Sequence, residues 1–171
     1  RAMGMIATGS NGFRITNLLI PTERAFIIDP KYVTIDKPIY KFPFLQLAET
    51  TLAVNYSGLA MQFIDLCREI IKSRASKNTT SSPLTDSAQT MNEVRERFYK
   101  AAEIAWSYCE KNEPIPSDVL NRVNETSFQL YKTALVSVHL LYPYTGLAGA
   151  DKTTGINRVW RNIHTASQHS L

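Results

Sequence analysis

Apolar residues recur at steps of three and four along four separate stretches of this sequence, and the first three stretches are each followed by a polar loop or a proline. That spacing puts side chains on one side of an α-helix, because about 3.6 residues complete a turn. In the first stretch Leu52, Tyr56, Leu59, Phe63, Leu66 and Ile70 share a face and predict a long helix over residues 44–74. A polar loop follows at residues 77–82, where Ser82 before Pro83 reads as an N-cap with proline at the first helical position. Met91, Val94, Phe98, Ala101, Ala105 and Tyr108 carry a second helix to about Lys111, and Pro114 and Pro116 break it. Ser117 reads as the cap of a third, with Leu120, Val123, Ser127, Leu130, Ala134, Ser137 and Leu141 on one stripe, ended by Pro143. After a glycine-bearing loop at residues 144–155, Ile156, Val159, Ile163 and Ala166 carry a fourth helix to the chain end.

Amphipathic helices joined by short connections bury their stripes against one another, so the expected fold is all-α, an antiparallel up-down four-helix bundle. The loop signals favour this bundle over one extended coiled coil, and no fixed-period repeat stands out. With 171 residues, 44% of them hydrophobic, the chain has material for one sizeable core. The formal charge of +4 tolerates an anionic ligand, but Lys and Arg are interspersed with Asp and Glu, which argues against nucleic acid as a partner. The sequence has no apolar run long enough for a membrane span and no signal peptide, so the expected address is cytoplasmic with no membrane partner. Cys67 and Cys109, isolated from each other and from histidines, read as buried thiols.

The N-terminal region has another character. Residues 12–20 alternate between apolar and polar from Phe13 to Thr16, turn β-branched and apolar, and stop at Pro21, which predicts one extended strand. A lone strand forms no sheet, so its partners are expected outside this sequence or in another chain. Arg1 is not an initiator, and the opening reads either as a tag scar or, as the strand favours, as a cut from a longer protein. Pro21, Pro30, Pro38 and Pro43 make residues 21–43 an irregular crossover.

Chemistry is most legible in the last helix. At 100° per residue, Arg158, Arg161, Thr165 and His169 gather opposite the apolar stripe. Spacing alone favours a solvated polar face; the functional alternative is a cleft whose guanidiniums and imidazole hold an anion or move a proton near neutral pH. His164 and His169 lie about 140° apart on a helix and make no i, i+4 metal pair, and no metal site is expected. His139, inside an apolar stretch, reads as a hydrogen-bonded core histidine. Trp106, Tyr108, Tyr131 and Tyr142 read as packing residues. The absence of nucleotide-loop, zinc-protease and nucleophile-elbow motifs leaves self-sufficient hydrolytic or phosphoryl chemistry unsupported.

Two passages resemble a known family. Gly4-Met5-Ile6-Ala7-Thr8-Gly9-Ser10-Asn11, followed by Asn17-Leu18-Leu19-Ile20-Pro21, is similar to the passage closing the middle β-domain of the acyl-CoA dehydrogenase superfamily. Gly155-Ile156-Asn157-Arg158-Val159-Trp160-Arg161-Asn162, then Thr165-Ala166-Ser167-Gln168-His169, resembles the tail of its branch containing two-component flavin-dependent monooxygenases. The resemblance implies a three-domain parent, with residues 1–43 as the end of the middle β-domain, its remnant β-strand and the crossover, and residues 44–171 as the C-terminal bundle. It implies a flavin, FAD or FMN, and a small-molecule substrate. The implied partners are a second copy or more, in a dimer or tetramer built through the bundle, and a separate flavin reductase. By the same analogy His169 is the catalytic acid or base near the flavin ring. Thr8 and Ser10 match a turn near the flavin, and Arg161, whose motif position with Trp160 is mainly structural in the family, completes the cofactor-binding set.

Asn162 departs from the family's Asp, which removes a salt bridge. Acyl-CoA dehydrogenases typically use a Glu near the loop before the final helix, where this chain has Asp151 and no Glu. That favours the monooxygenase branch, while Glu49 or Glu125 keeps a dehydrogenase acting on an acyl-CoA thioester with FAD open. A bundle serving only oligomerisation is the non-enzymatic alternative. As a fragment, the chain is expected to be inactive alone.

Overall fold

The computed structural model describes residues 2–74 and 82–169; most of the loop expected at residues 77–82 lies outside them. Helices form where the apolar periodicity placed them: α1 (Phe44–Arg74), α2 (Ser82–Glu110), α3 (Ser117–Leu141) and, after a short α4 (Leu147–Ala150), α5 (Gly155–Ala166), which gives way to a turn instead of continuing toward the chain end as expected. Prolines set the entries, since Pro43, Pro83 and Pro116 stand at or beside helix starts, where a missing N–H leaves no intrahelical bond unmade. Ser117 is the first helical residue and Pro116 holds the N-cap position, so no side chain closes that turn. Ser82 opens α2 with its hydroxyl donating to Asp86 at 2.8 Å. The loop before α5 is more ordered than expected, with a 3-10 turn at Tyr142–Thr145 and then α4. Thr154 caps α5, its Oγ1 accepting from the Asn157 N–H at 3.3 Å.

Contacts between helices distant in sequence fix the directions. Cys67, late in α1, meets the Leu141 carbonyl at the end of α3, so these two helices run the same way. Phe42, just before α1, packs with Ala105 and Cys109 late in α2 and Val123 early in α3, which reverses α2. Tyr56 donates to the Ala166 carbonyl at 2.6 Å, placing the end of α5 beside the first half of α1 and reversing α5. The result is the up-down-up-down bundle. Helix α1 is its centre, packed on α3, α5 and α2. That explains a shift in its buried stripe: Ala53, Ser57, Ala60, Ile64 and Cys67 are buried with Tyr56 and Phe63, while the expected Leu52, Leu59, Leu66 and Ile70 are partly covered at its edges. Small side chains at 53, 57 and 60 permit close helix approach, and a helix with three partners buries more than one stripe.

Residues 2–43 form 3-10 turns at Ile6–Thr8, Thr22–Arg24, Pro30–Tyr32 and Pro38–Lys41, and the described residues contain no strand. The strand expected over residues 12–20 is therefore not formed: strand geometry is held by ladder bonds, and the chain offers this stretch no ladder. The irregular crossover of residues 21–43 matches its proline content. The arm is fastened at both ends. Lys41 bridges Asp36 and the Asn112 side-chain oxygen, each at 2.7 Å, beside buried Phe42, and Gly4 docks on α5.

Candidate functional site

The two ends of the chain meet on α5. The Gly4 N–H donates to Thr165 Oγ1 at 2.8 Å, the Met5 N–H to Asn162 Oδ1 at 2.7 Å, and Arg161 donates to the Met3 carbonyl at 3.1 Å. Residue 4 has to be glycine for this approach, because a Cβ there would collide with the Arg161 carbonyl and come within 2.6 Å of the Asn162 nitrogen. Asn162, read in the sequence as the loss of a salt bridge, accepts a backbone hydrogen bond through its uncharged amide.

Beyond the dock, Met5 takes a left-handed conformation (φ 54°) and Gly9 another (φ 60°), bracketing the Ile6–Thr8 turn. The Thr8 hydroxyl donates to the Met5 carbonyl at 2.7 Å and lies 3.0 Å from the Ser10 hydroxyl. Thr8 and Ser10 are exposed, on a turn anchored to the helix that carries Arg161, so three of the sequence-selected residues fall in one region.

Arg161 acts there as a clamp. Besides Met3 it donates to Asn157 Oδ1 at 2.9 Å and the Lys152 carbonyl at 3.4 Å. Buried Asn157 donates in turn to the Gly149 carbonyl at 2.6 Å, tying the α4 loop into the same network. Arg158 is exposed on α5. The expected single face of Arg161, Thr165 and His169 is not maintained: α5 ends at Ala166, and His169 lies in the following turn, its N–H donating to the Ala166 carbonyl at 2.9 Å. A face defined by i, i+4 steps ends with the helix.

Sequence reasoning missed a histidine pair. His139 is an exposed residue of α3, not a core residue, and its Nε2 lies 2.8 Å from Nε2 of His164 on α5. His164 Nδ1 is 2.7 Å from the Trp160 carbonyl, which only accepts, so Nδ1 carries the proton, His164 Nε2 accepts, and His139 Nε2 donates. Desolvation of the His139 ring, then the repulsion it would meet from His164 if both rings were protonated, holds His139 below the usual imidazole value, although the residue as a whole remains open to water. Trp160 lies against His164 with ring centres 4.2 Å apart, and Tyr142 lies 5.3 Å from Trp160. Nothing in either segment signals this pairing, because the partners lie 25 residues apart on different helices.

Among the carboxylates, Glu49 is half-buried on α1, and desolvation raises it above the ordinary carboxylate value. Asn124 of α3, its amide nitrogen turned toward α1, donates to Glu49 Oε2 at 2.6 Å. Glu125 is exposed. Asp151 is committed to its own loop: its Oδ1 accepts from the N–H and hydroxyl of Thr153, both at 2.8 Å, which holds its carboxyl low. Cys67 and Cys109 are free and buried, and burial pushes both thiols up. No helix among the described residues is long and apolar enough to cross a membrane.

The profile of the family described as "Acyl-CoA dehydrogenase, C-terminal domain" matches residues 47–171. Indole-3-acetate monooxygenase of Pseudomonas putida is 21% identical over 180 residues, covering 99% of this chain and 46% of that protein. Among solved structures, the HsaA monooxygenase from M. tuberculosis superposes with a TM-score of 0.90 at 18% identity, over 99% of this chain and 47% of its own. The 3-HSA hydroxylase from Rhodococcus sp. RHA1 gives 0.87 at 18% identity, over 99% and 48%. The chain therefore spans about half the length of these relatives, and the shared fold includes the arm as well as the bundle.

Proposed function

This chain belongs to the acyl-CoA dehydrogenase family through its C-terminal domain, and from that membership we propose that it is the C-terminal part of a flavin-dependent monooxygenase using reduced flavin and oxygen. The observation that carries the reading is the dock of residues 3–5 on Arg161, Asn162 and Thr165, which joins the two family-like passages. The monooxygenase relatives support the branch. Residues 1–43 are then the end of the middle domain, and residues 44–171 the bundle.

A flavin fits the donors present. Ser10 offers an exposed hydroxyl whose proton can turn outward, and Thr8, its own O–H committed to the Met5 carbonyl, offers an exposed accepting oxygen, on a turn whose base is pinned by hydrogen bonds to α5; together they suit the mixed donor and acceptor edge of an isoalloxazine. When bound, the flavin supplies the electrons and the activation of oxygen. This chain's residues do the rest: Thr8 and Ser10 hold the cofactor, Arg161 orients their turn through the Met3 carbonyl, and His169 moves a proton beside the reacting centre. A small-molecule substrate, a separate flavin reductase and a second copy contacting the bundle complete the proposed assembly.

The test is the full-length polypeptide, titrated anaerobically with reduced FMN and reduced FAD and then exposed to oxygen. Flavin uptake with oxygen consumption supports the proposal; a folded full-length protein that takes up neither flavin overturns it. His169→Ala lowers turnover with folding intact, whereas unchanged turnover assigns the tail to structure. Half-buried Glu49 favours a second reading, an acyl-CoA dehydrogenase with Glu49 as base. Bleaching of bound FAD by an acyl-CoA without oxygen selects that reading.

A further inference from the structure

We propose that His139 and His164 form a binding site for a divalent transition-metal ion of the copper(II) or nickel(II) class, joining α3 to α5. The two Nε2 atoms converge from different helices to 2.8 Å. At metal–nitrogen distances of about 2.0–2.1 Å, two ligands at a right angle lie about 2.9 Å apart, whereas a tetrahedral ion needs about 3.3 Å. The 2.8 Å separation is that of the hydrogen bond the two rings make, and it also lets both nitrogens take adjacent corners of one square or octahedral ion once that bond is given up.

His164 already has the outer support of a ligating imidazole. Its Nδ1–H donates to the Trp160 carbonyl at 2.7 Å, and the Trp160 ring lies against it, tilted by 32° with centres 4.2 Å apart, which orients the ring and directs the Nε2 lone pair toward His139. His139 is exposed, giving the ion access and leaving its remaining positions to water. Binding moves the His139 proton from Nε2 to Nδ1, so both Nε2 lone pairs face the ion with no net proton released. The site uses none of the residues assigned to flavin and stands independently of that reading.

Full-chain protein stripped of metal is titrated with copper(II), nickel(II) and zinc(II), with calorimetry and the electron paramagnetic resonance of copper as readouts. The expected result is one saturable copper site whose spectrum shows two equatorial imidazole nitrogens. His139→Ala and His164→Ala each weaken it by about tenfold or more, while His169→Ala does not. His139 is exposed, so its variant keeps the fold, checked by circular dichroism. Copper also raises the melting temperature of the wild type but not of His139→Ala. No saturable copper binding, a site unchanged in His139→Ala, or zinc bound more tightly than copper overturns the proposal.

Discussion

The arm of residues 2–43 and the bundle of residues 44–169 use apolar residues in opposite ways. In the bundle, Tyr56, Phe63, Phe98, Leu130 and Ile163 are almost fully enclosed. In the arm, Phe13, Leu19 and Phe26 are 87%, 96% and 85% exposed, and Ile15, Leu18, Ile20, Ile27 and Ile28 also face outward. Helices satisfy their backbone internally and need only one another to bury a stripe, so the bundle's core closes within the chain. The arm has neither ladder nor covering layer, and hydrogen bonds at its two ends set where it lies.

The largest effect that tests this contrast is a pair of truncations. Phe63→Ala, at a fully buried site, is expected to cost about 3–5 kcal/mol in urea unfolding, while Phe26→Ala changes stability by less than about 0.5 kcal/mol. Equal losses would break the comparison. Next, Gly4→Ala forces a methyl into the Arg161–Asn162 backbone, an overpacking worth about 1–3 kcal/mol at the dock. Hydrogen exchange at the Met5 N–H should rise sharply while α1 to α3 keep their protection. Exchange that spreads through the bundle would show that the two regions unfold as one unit.

Tyr56→Phe removes the bond to the Ala166 carbonyl, with an expected loss of about 1 kcal/mol, visible as earlier fraying of the α5 C-terminus. The smallest effect concerns charge. Glu49 is raised by desolvation, so its carboxyl contributes most below its ordinary value of 4.5 and loses that contribution as pH rises through the folded value. Glu49→Gln should therefore stabilise the protein modestly near pH 7 and not near pH 4. A gain independent of pH would place its cause outside ionisation.

Much of this architecture was legible in advance. The limits of α1 and α3 follow from apolar periodicity and from Pro43, Pro116 and Pro143, and α2 ends one residue before the expected Lys111. Periodicity could not orient α1, because Leu52 and Leu66 outrank Ala53 and Ala60 in hydrophobicity while close approach to α3 favours the small residues. Residues 12–20 show strand chemistry without a partner, and His169 was assigned to a helix that ends three residues earlier. The dock is a middle case: both passages stand out in the sequence, but that Gly4 and Met5 bond to Thr165 and Asn162 does not.

By itself, the sequence determined what depends on near neighbours: helix positions, turn prolines, the apolar stripes and the two family-like passages at its ends. Tertiary structure alone decided what depends on distant residues meeting. It turned His139 outward to pair with His164, gave Asn162 a backbone N–H in place of a salt bridge, and fastened the chain's start to its last helix. Helical order propagates through i to i+4 contacts that a sequence displays, whereas a contact between residues more than 150 positions apart depends on how whole helices pack and where the chain returns.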